Sequence, residues 1–210
     1  MLERNAQKII IVVGLAVASF VSFPGLARSL RETCAKAAGD SAIAACDKAI
    51  AENPKDADAY SNRGFTWSAK GDQDKAIADF NEALKINPKH VRALGNRGVA
   101  WNRKGDPDKA ITDATEAIKI NKHHAKAYNN RAVAMIRKRE YDKAISDLNE
   151  AIKLNPKDAS AFFNRGNAFE LKGSLSDALK DFKKFAELSP KDPDGSQAVT
   201  RLEARLKQRP

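Results

Sequence analysis

The sequence contains few of the residues from which catalytic and metal sites are built. It has two cysteines and three histidines in 210 residues. The histidines, His90, His123 and His124, stand in predicted turns, and no motif places a nucleophile or an acid beside them. A glycine-rich phosphate loop is also missing from the sequence. We therefore expect a protein that is not an enzyme and needs neither a cofactor nor a metal.

Aromatic residues are also scarce, at 7% of the chain, whereas charged residues make up 30% and alanine, leucine and isoleucine are plentiful. This composition is typical of a helical array and not of a β-sandwich or a membrane protein. The formal net charge is +10 and is spread along the chain. Basic charge alone fits nucleic acid, an anionic membrane or an acidic protein, so it does not select a partner.

One long apolar run, residues 9–23, follows Arg4 and Lys8 and ends at Pro24. Small residues come next, which completes the order of a secretory signal peptide. We predict that residues 1–27 are a cleaved signal peptide and that the protein is periplasmic or secreted, with no stable membrane span after cleavage. The alternative is an uncleaved inner-membrane anchor, although a spanning helix needs about 20 apolar residues and the proline shortens this run.

The two cysteines, Cys34 and Cys46, both follow the predicted signal peptide. An even pair in one region of an exported protein indicates a disulfide. Closing so short a loop stabilises a protein by about 3 kcal/mol on the chain-entropy estimate. The alternative is a pair of buried free thiols.

The most informative feature is an internal repeat with a period of 34 residues. In each unit, positions 4, 8 and 11 form one apolar or small-residue stripe of an α-helix, and positions 20, 24 and 27 form a second. A polar turn with glycine at position 15 separates the two stripes in three units, and a proline at position 32 follows the second stripe in three. The consecutive units are residues 57–90, 91–124, 125–158 and 159–192.

This pattern resembles the tetratricopeptide repeat family. The resemblance implies an all-α, right-handed α–α superhelix in which each unit is a helical hairpin that buries its apolar faces on its neighbours. Residues 28–56 align with the later units as an atypical N-terminal hairpin, and residues 193–210 carry an apolar face typical of a capping helix. We therefore predict a solenoid of about five hairpins and a cap.

An arginine at position 7 occurs together with an aspartate at position 23 in all four units. A buried arginine needs a carboxylate partner, which it can bind with two parallel hydrogen bonds. We therefore predict a ladder of ion pairs between the helices, the alternative being a row of arginines for anionic ligands. The pairs are Arg63 with Asp79, Arg97 with Asp113, Arg131 with Asp147, and Arg165 with Asp181.

The resemblance also implies a ligand site, because the first helix of each hairpin lines the concave face in this family. Position 6 is asparagine in every unit, and this family often uses it to hold the main chain of a ligand. The alternative is that each asparagine bonds the scaffold. The predicted peptide-binding residues are the asparagines Asn62, Asn96, Asn130 and Asn164, and the cations Arg92, Arg103, Lys126 and Arg137.

The two-carboxylate clamp of chaperone-binding relatives is not expected, because Ser61 and Phe65 occupy two of its positions in the first unit. We predict an exported scaffold that binds a protein or peptide segment, acidic or not, in the concave groove. The alternative is a structural envelope protein that self-associates through its terminal hairpins. Nucleic acid is not an expected partner, because it conflicts with export and no motif interleaves aromatic and basic residues.

Overall fold

The computed structural model describes residues 32–34 and 38–208, and the predicted signal peptide lies outside these residues. Residues 32–34 are helical. No helix of the described part is long and apolar enough to cross a membrane. Residues 38–208 contain ten helices: α1 Gly39–Glu52, α2 Ala57–Ala69, α3 Gln73–Ile86, α4 Val91–Lys104, α5 Pro107–Ile120, α6 Ala125–Arg137, α7 Tyr141–Leu154, α8 Ala159–Lys172, α9 Leu175–Leu188 and α10 Pro193–Lys207.

The helices stack as a solenoid of hairpins, which confirms the predicted fold class. Helices α2 and α3, α4 and α5, α6 and α7, and α8 and α9 pair with each other, and each hairpin packs on the next. The first helices of neighbouring hairpins also contact one another, whereas the second helices lie farther apart. The first helices, α2, α4, α6 and α8, therefore form the concave side.

Helix ends are set by capping side chains and by the turn at position 15. Aspartates cap several N-termini, and His90 and His124 cap α4 and α6 by accepting a backbone N–H at the imidazole Nδ1. Gly71, Gly105 and Gly173 end the first helix of their hairpins with φ between 85 and 94°. The third unit has Arg139 at this position with φ 63°, a left-handed conformation that costs a side-chain-bearing residue about 1–2 kcal/mol.

The two helices of a hairpin approach each other closely where position 8 is glycine. A Cβ on Gly64 would lie 2.9 Å from Phe80 Cε1 and 3.0 Å from the carbonyl oxygen of Ala76. In the third unit, position 8 is Ala132, and the facing residue is the smaller Leu148. In these two units, the size of the residue at position 24 therefore matches the space that position 8 leaves.

The predicted arginine–aspartate ladder is confirmed in all four units. Arg97 donates from Nε to Asp113 Oδ2 at 2.9 Å and from Nη2 to Asp113 Oδ1 at 2.6 Å, and the other three pairs share this geometry. The third nitrogen, Nη1, donates to the preceding unit, where Asn81 Oδ1 lies at 2.7 Å. Each arginine therefore joins its own hairpin and also ties it to the one before.

A second row of ion pairs joins each turn to the preceding hairpin. A lysine at position 14 contacts an aspartate 30 residues earlier, at position 18 of the unit before. These pairs are exposed, so each contributes little to stability. The members are Lys70 with Asp40, Lys104 with Asp74, Lys138 with Asp108, and Lys172 with Asp142.

The ends of the solenoid are closed in different ways. At the N-terminal end a disulfide joins Cys34 to Cys46, and both cysteines pack against Ala59 of α2. At the C-terminal end the apolar face of α10 buries Leu202 against α9. Arg201 of α10 then binds a carboxylate oxygen of Glu170 at 2.6 Å.

Candidate functional site on the concave face

A groove of about 330 Å³ opens on the concave face between α2, α4 and α6. It combines apolar, amide and cationic side chains, and no carboxylate lines it. A larger cavity of about 670 Å³ is formed by the single turn Ser189–Pro193, and one turn cannot enclose a ligand. The groove is lined by Phe65, Val91, Arg92, Gly95, Asn96, His124, Lys126 and Asn130.

Two of the predicted cations, Arg92 and Lys126, line this groove and are exposed. Arg92 Nη2 donates to Asn62 Oδ1 at 3.0 Å, so α2 holds the guanidinium of α4 in place. The Lys126 ammonium has no hydrogen-bond or ion-pair partner among the described residues. The groove therefore offers positive charge that no side chain of the described part neutralises.

The other two predicted cations lie away from the groove lining. Arg103 Nη1 donates to the Ser68 carbonyl oxygen at 2.9 Å and to Ser68 Oγ at 3.0 Å. It therefore links α4 to α2. Arg137, the last residue of α6, is exposed. Of the four cations, only Arg92 and Lys126 come together at one site.

His124 adds a hydrogen-bond donor to the groove. Its Nδ1 accepts from the Ala127 N–H at 3.2 Å, so the neutral ring carries its proton on Nε2. Burial, and then the charge of Lys126, lower the pKa of His124, which keeps the ring neutral at pH 7. His90 caps α4 in the same way, but its Nε2 lies 3.1 Å from Asp58 Oδ1. At His124 the equivalent position in the repeat is Arg92, so Nε2 has no acidic partner.

The four predicted asparagines do not have equivalent surroundings. Asn62 accepts from Arg92, Asn130 Nδ2 donates to the Gly95 carbonyl oxygen at 3.3 Å, and Asn164 Nδ2 donates to Asn129 Oδ1 at 2.9 Å. Asn96 has no hydrogen-bond partner within the part of the chain that the structure describes. Three of the asparagines therefore bond the scaffold, and Asn96 alone keeps its amide available in the groove.

The residue that each asparagine faces in the preceding unit explains why Asn96 is different. Asn130 and Asn164 each reach position 5 of the preceding unit, 35 residues earlier. The same register pairs Asn96 with Ser61, whose Oγ is buried and has no partner within residues 32–34 and 38–208. Asn96 and Ser61 therefore do not form the bond between units that Asn130 and Asn164 form, and Asn96 lines the groove.

Phe65 is a groove residue that the sequence did not identify as a binding residue. Its side chain is 58% exposed, and it also lines a neighbouring cavity of about 240 Å³ toward Cys34 and Ala38. The corresponding residues of the next two units are Val99 and Val133. The available signal was a phenylalanine at a concave position where the next two units have valine.

Three segments of the chain match models of a known repeat family. Models described as tetratricopeptide repeat match residues 57–90 and 159–192, and a model described as TPR repeat matches residues 137–173. These segments are tetratricopeptide repeats. A comparison with curated proteins gave no match.

Solved structures of tetratricopeptide repeat proteins share the fold. MamA is 28% identical, with a TM-score of 0.62 over 72% of this chain and 89% of MamA. YrrB, described as a TPR protein with an unusual peptide-binding site, is 22% identical, with a TM-score of 0.63 over 84% of this chain and 88% of its own. The first TPR of Spaghetti (RPAP3), bound to the HSP90 peptide SRMEEVD, is 26% identical, with a TM-score of 0.55 over 56% of this chain and 94% of its own.

Proposed function

We propose that this protein is an interaction scaffold that binds an extended segment of a partner protein in the concave groove between α2, α4 and α6. The observation that carries the proposal is the unpartnered amide of Asn96 beside the unpartnered ammonium of Lys126. Both groups line the same groove, where they can bind one ligand together.

The chemistry of the groove suits a protein main chain. An extended segment presents N–H and C=O groups that need partners, and an asparagine amide supplies both a donor and an acceptor. Cations beside it add long-range attraction, which speeds encounter more than it strengthens the complex. The peptide bound to the RPAP3 repeat domain and the peptide-binding site described for YrrB support this use of the fold.

Selection from a library of random 12-residue peptides displayed on phage, with the whole protein immobilised, tests the proposal. We expect enriched peptides that lose about two- to tenfold affinity for Asn96→Ala, because a hydrogen bond to the ligand contributes about 0.5–1.5 kcal/mol. Asn164→Ala is the matched control, since Asn164 bonds Asn129 away from the groove lining. Peptides that bind both variants and the wild type equally would contradict the proposal.

The self-association alternative makes a different prediction. Light scattering across a hundredfold range of protein concentration should give a constant mass for a monomeric scaffold. A mass that rises with concentration, together with no enriched peptide, would favour the structural protein that stacks through its terminal hairpins.

We also propose that the protein is exported. The disulfide between Cys34 and Cys46 supports this location, because disulfides persist in oxidising compartments and are rare in the cytosol. Intact-mass measurement of the native protein should give a chain that begins near residue 28. A chain that retains Met1 would favour the uncleaved inner-membrane anchor.

A further inference from the structure

We infer that the groove selects segments in which an acidic side chain stands within a few residues of an apolar one, the acid binding at Lys126, His124 and Asn96 and the apolar side chain on Phe65. This inference rests on the proposed function and defines its ligand class.

The acidic half of the inference follows from three donors that line the groove. Lys126 supplies an ammonium, His124 supplies the Nε2–H, and Asn96 supplies an amide N–H, and each has no partner in the described residues. Hydrogen bonds to a charged acceptor are about twice as strong as neutral ones. A carboxylate is the side-chain group that accepts from all three at once.

The described residues supply no acid of their own to this site. Asp58 is engaged by His90, and the Asp158 carboxylate accepts from the Ser160 N–H at the start of α8. Helices α4 and α6 carry no acidic residue in their first turns. Most other helices here place an aspartate there, which complements the helix dipole. An acidic side chain of the ligand supplies the negative charge that the first turns of α4 and α6 lack.

The apolar half follows from Phe65. Its exposed ring forms the wall between the groove and the cavity next to Cys34, and Val91 lies on the groove side. Burying a phenylalanine ring against an apolar side chain removes surface from water, which favours binding in proportion to the area covered. Arg92, held by Asn62, lines both cavities, so charge and apolar surface alternate along the path of a bound segment.

The site does not require a chain terminus. The clamp for a terminal carboxylate needs a lysine at position 5, where this chain has Ser61, Gly95 and Asn129 in its first three units. One carboxylate-sized group of donors is present, so an internal aspartate or glutamate is sufficient.

Nuclear magnetic resonance titration of the ¹⁵N-labelled protein with four blocked ten-residue peptides tests this inference. The peptides share a Gly/Ser background and carry Leu–Glu, Leu–Gln, Ala–Glu or Ala–Gln at the centre. We expect the Leu–Glu peptide to shift the Asn96 side-chain amide, and the Leu–Gln peptide to bind about tenfold more weakly, because hydrogen bonds to a charged acceptor are stronger than bonds to a neutral one. The Ala–Glu peptide should also bind more weakly than Leu–Glu.

Lys126→Gln should remove the preference for Glu over Gln without preventing binding of the Leu–Gln peptide. Lys157→Gln is the matched control, because Lys157 is exposed, has the same charge and lies outside the groove. Equal binding of Leu–Glu and Leu–Gln at Asn96 would overturn the inference and leave the proposed function standing. Acetate that shifts the same signals with the affinity of the Leu–Glu peptide would overturn the apolar half. Library peptides that bind the groove but contain no acid would overturn the acidic half.

Discussion

Two of the rows of cations along this solenoid, the arginines of the arginine–aspartate ladder and the cations of the groove, differ in what faces them. The Arg97 side chain is 22% exposed and binds Asp113, whose side chain is 6% exposed. The cations of the groove, Arg92 and Lys126, are exposed, and no carboxylate of the described residues lines that groove. The same charge therefore holds two helices together in one row and stays available for a ligand in the other. An aspartate stands 16 residues after the cation in both rows, but Asp108 and Asp142, which follow Arg92 and Lys126 at this spacing, pair with Lys138 and Lys172 instead.

The largest expected effect is on stability, and it comes from removing an arginine of the arginine–aspartate ladder. Arg97→Ala strands the Asp113 carboxylate inside the hairpin, so we expect the free energy of unfolding to fall by about 3 kcal/mol or more. Urea unfolding followed by circular dichroism measures this loss. Arg137→Ala, on an exposed side chain, is the control and should stay within about 0.5 kcal/mol of the wild type. Equal losses for both variants would contradict the claim that the Arg97–Asp113 pair holds the hairpin together.

The interior of the hairpins can be tested with a matched pair of glycines. Gly64→Ala drives a Cβ into Phe80 and the Ala76 carbonyl, and overpacking of this kind costs about 1–3 kcal/mol. The same change at Gly98 meets its nearest atom, the Ala110 carbonyl oxygen, at 3.4 Å, and alanine favours a helix by about 1 kcal/mol over glycine. We expect Gly64→Ala to lower the urea midpoint and Gly98→Ala to preserve or raise it. The reverse order would contradict the packing account.

Arg139 is a cation that belongs to neither row. It holds φ 63° where the other turns use glycine, so Arg139→Gly should stabilise the protein by about 1 kcal/mol by relieving the left-handed conformation. Arg139→Ala keeps the Cβ and should leave stability nearly unchanged. If both variants gain equally in thermal unfolding, the gain comes from removing charge and not from backbone conformation.

The smallest effect concerns protonation in the groove. Burial and Lys126 lower the pKa of His124 in the folded protein, so the unfolded chain, with a histidine pKa of about 6.5, binds the proton more readily. The stabilising contribution of neutral His124 is therefore complete above about pH 6.5 and is lost as the pH falls through the lower folded pKa. Urea midpoints at pH 7.5 and 5.0 should show a smaller loss for His124→Asn, which keeps a capping side chain. An identical loss in wild type and variant would assign the pH dependence to other groups.

The sequence predicted the arginine–aspartate ladder because position 7 is arginine and position 23 is aspartate in all four units. The row that joins Lys104 to Asp74 carries the same signal at a spacing of 30 residues, and it was missed because only pairs within one unit were compared. The special position of Asn96 was not predictable in this way. All four asparagines look alike in the sequence, and their difference depends on which neighbour they reach in the preceding unit, such as Gly95 for Asn130.

Photo-crosslinking tests the central claim, that a partner segment lies in the concave groove, most directly. Phe65 can be replaced by p-benzoylphenylalanine, which keeps an aromatic side chain in the groove, and the control is the same replacement at Glu82, an exposed residue of α3. With a library-selected peptide bound, the account predicts crosslinking from position 65, competed by the unlabelled Leu–Glu peptide, and little from position 82. A peptide that binds with undiminished affinity but crosslinks from position 82 and not from position 65 would contradict it.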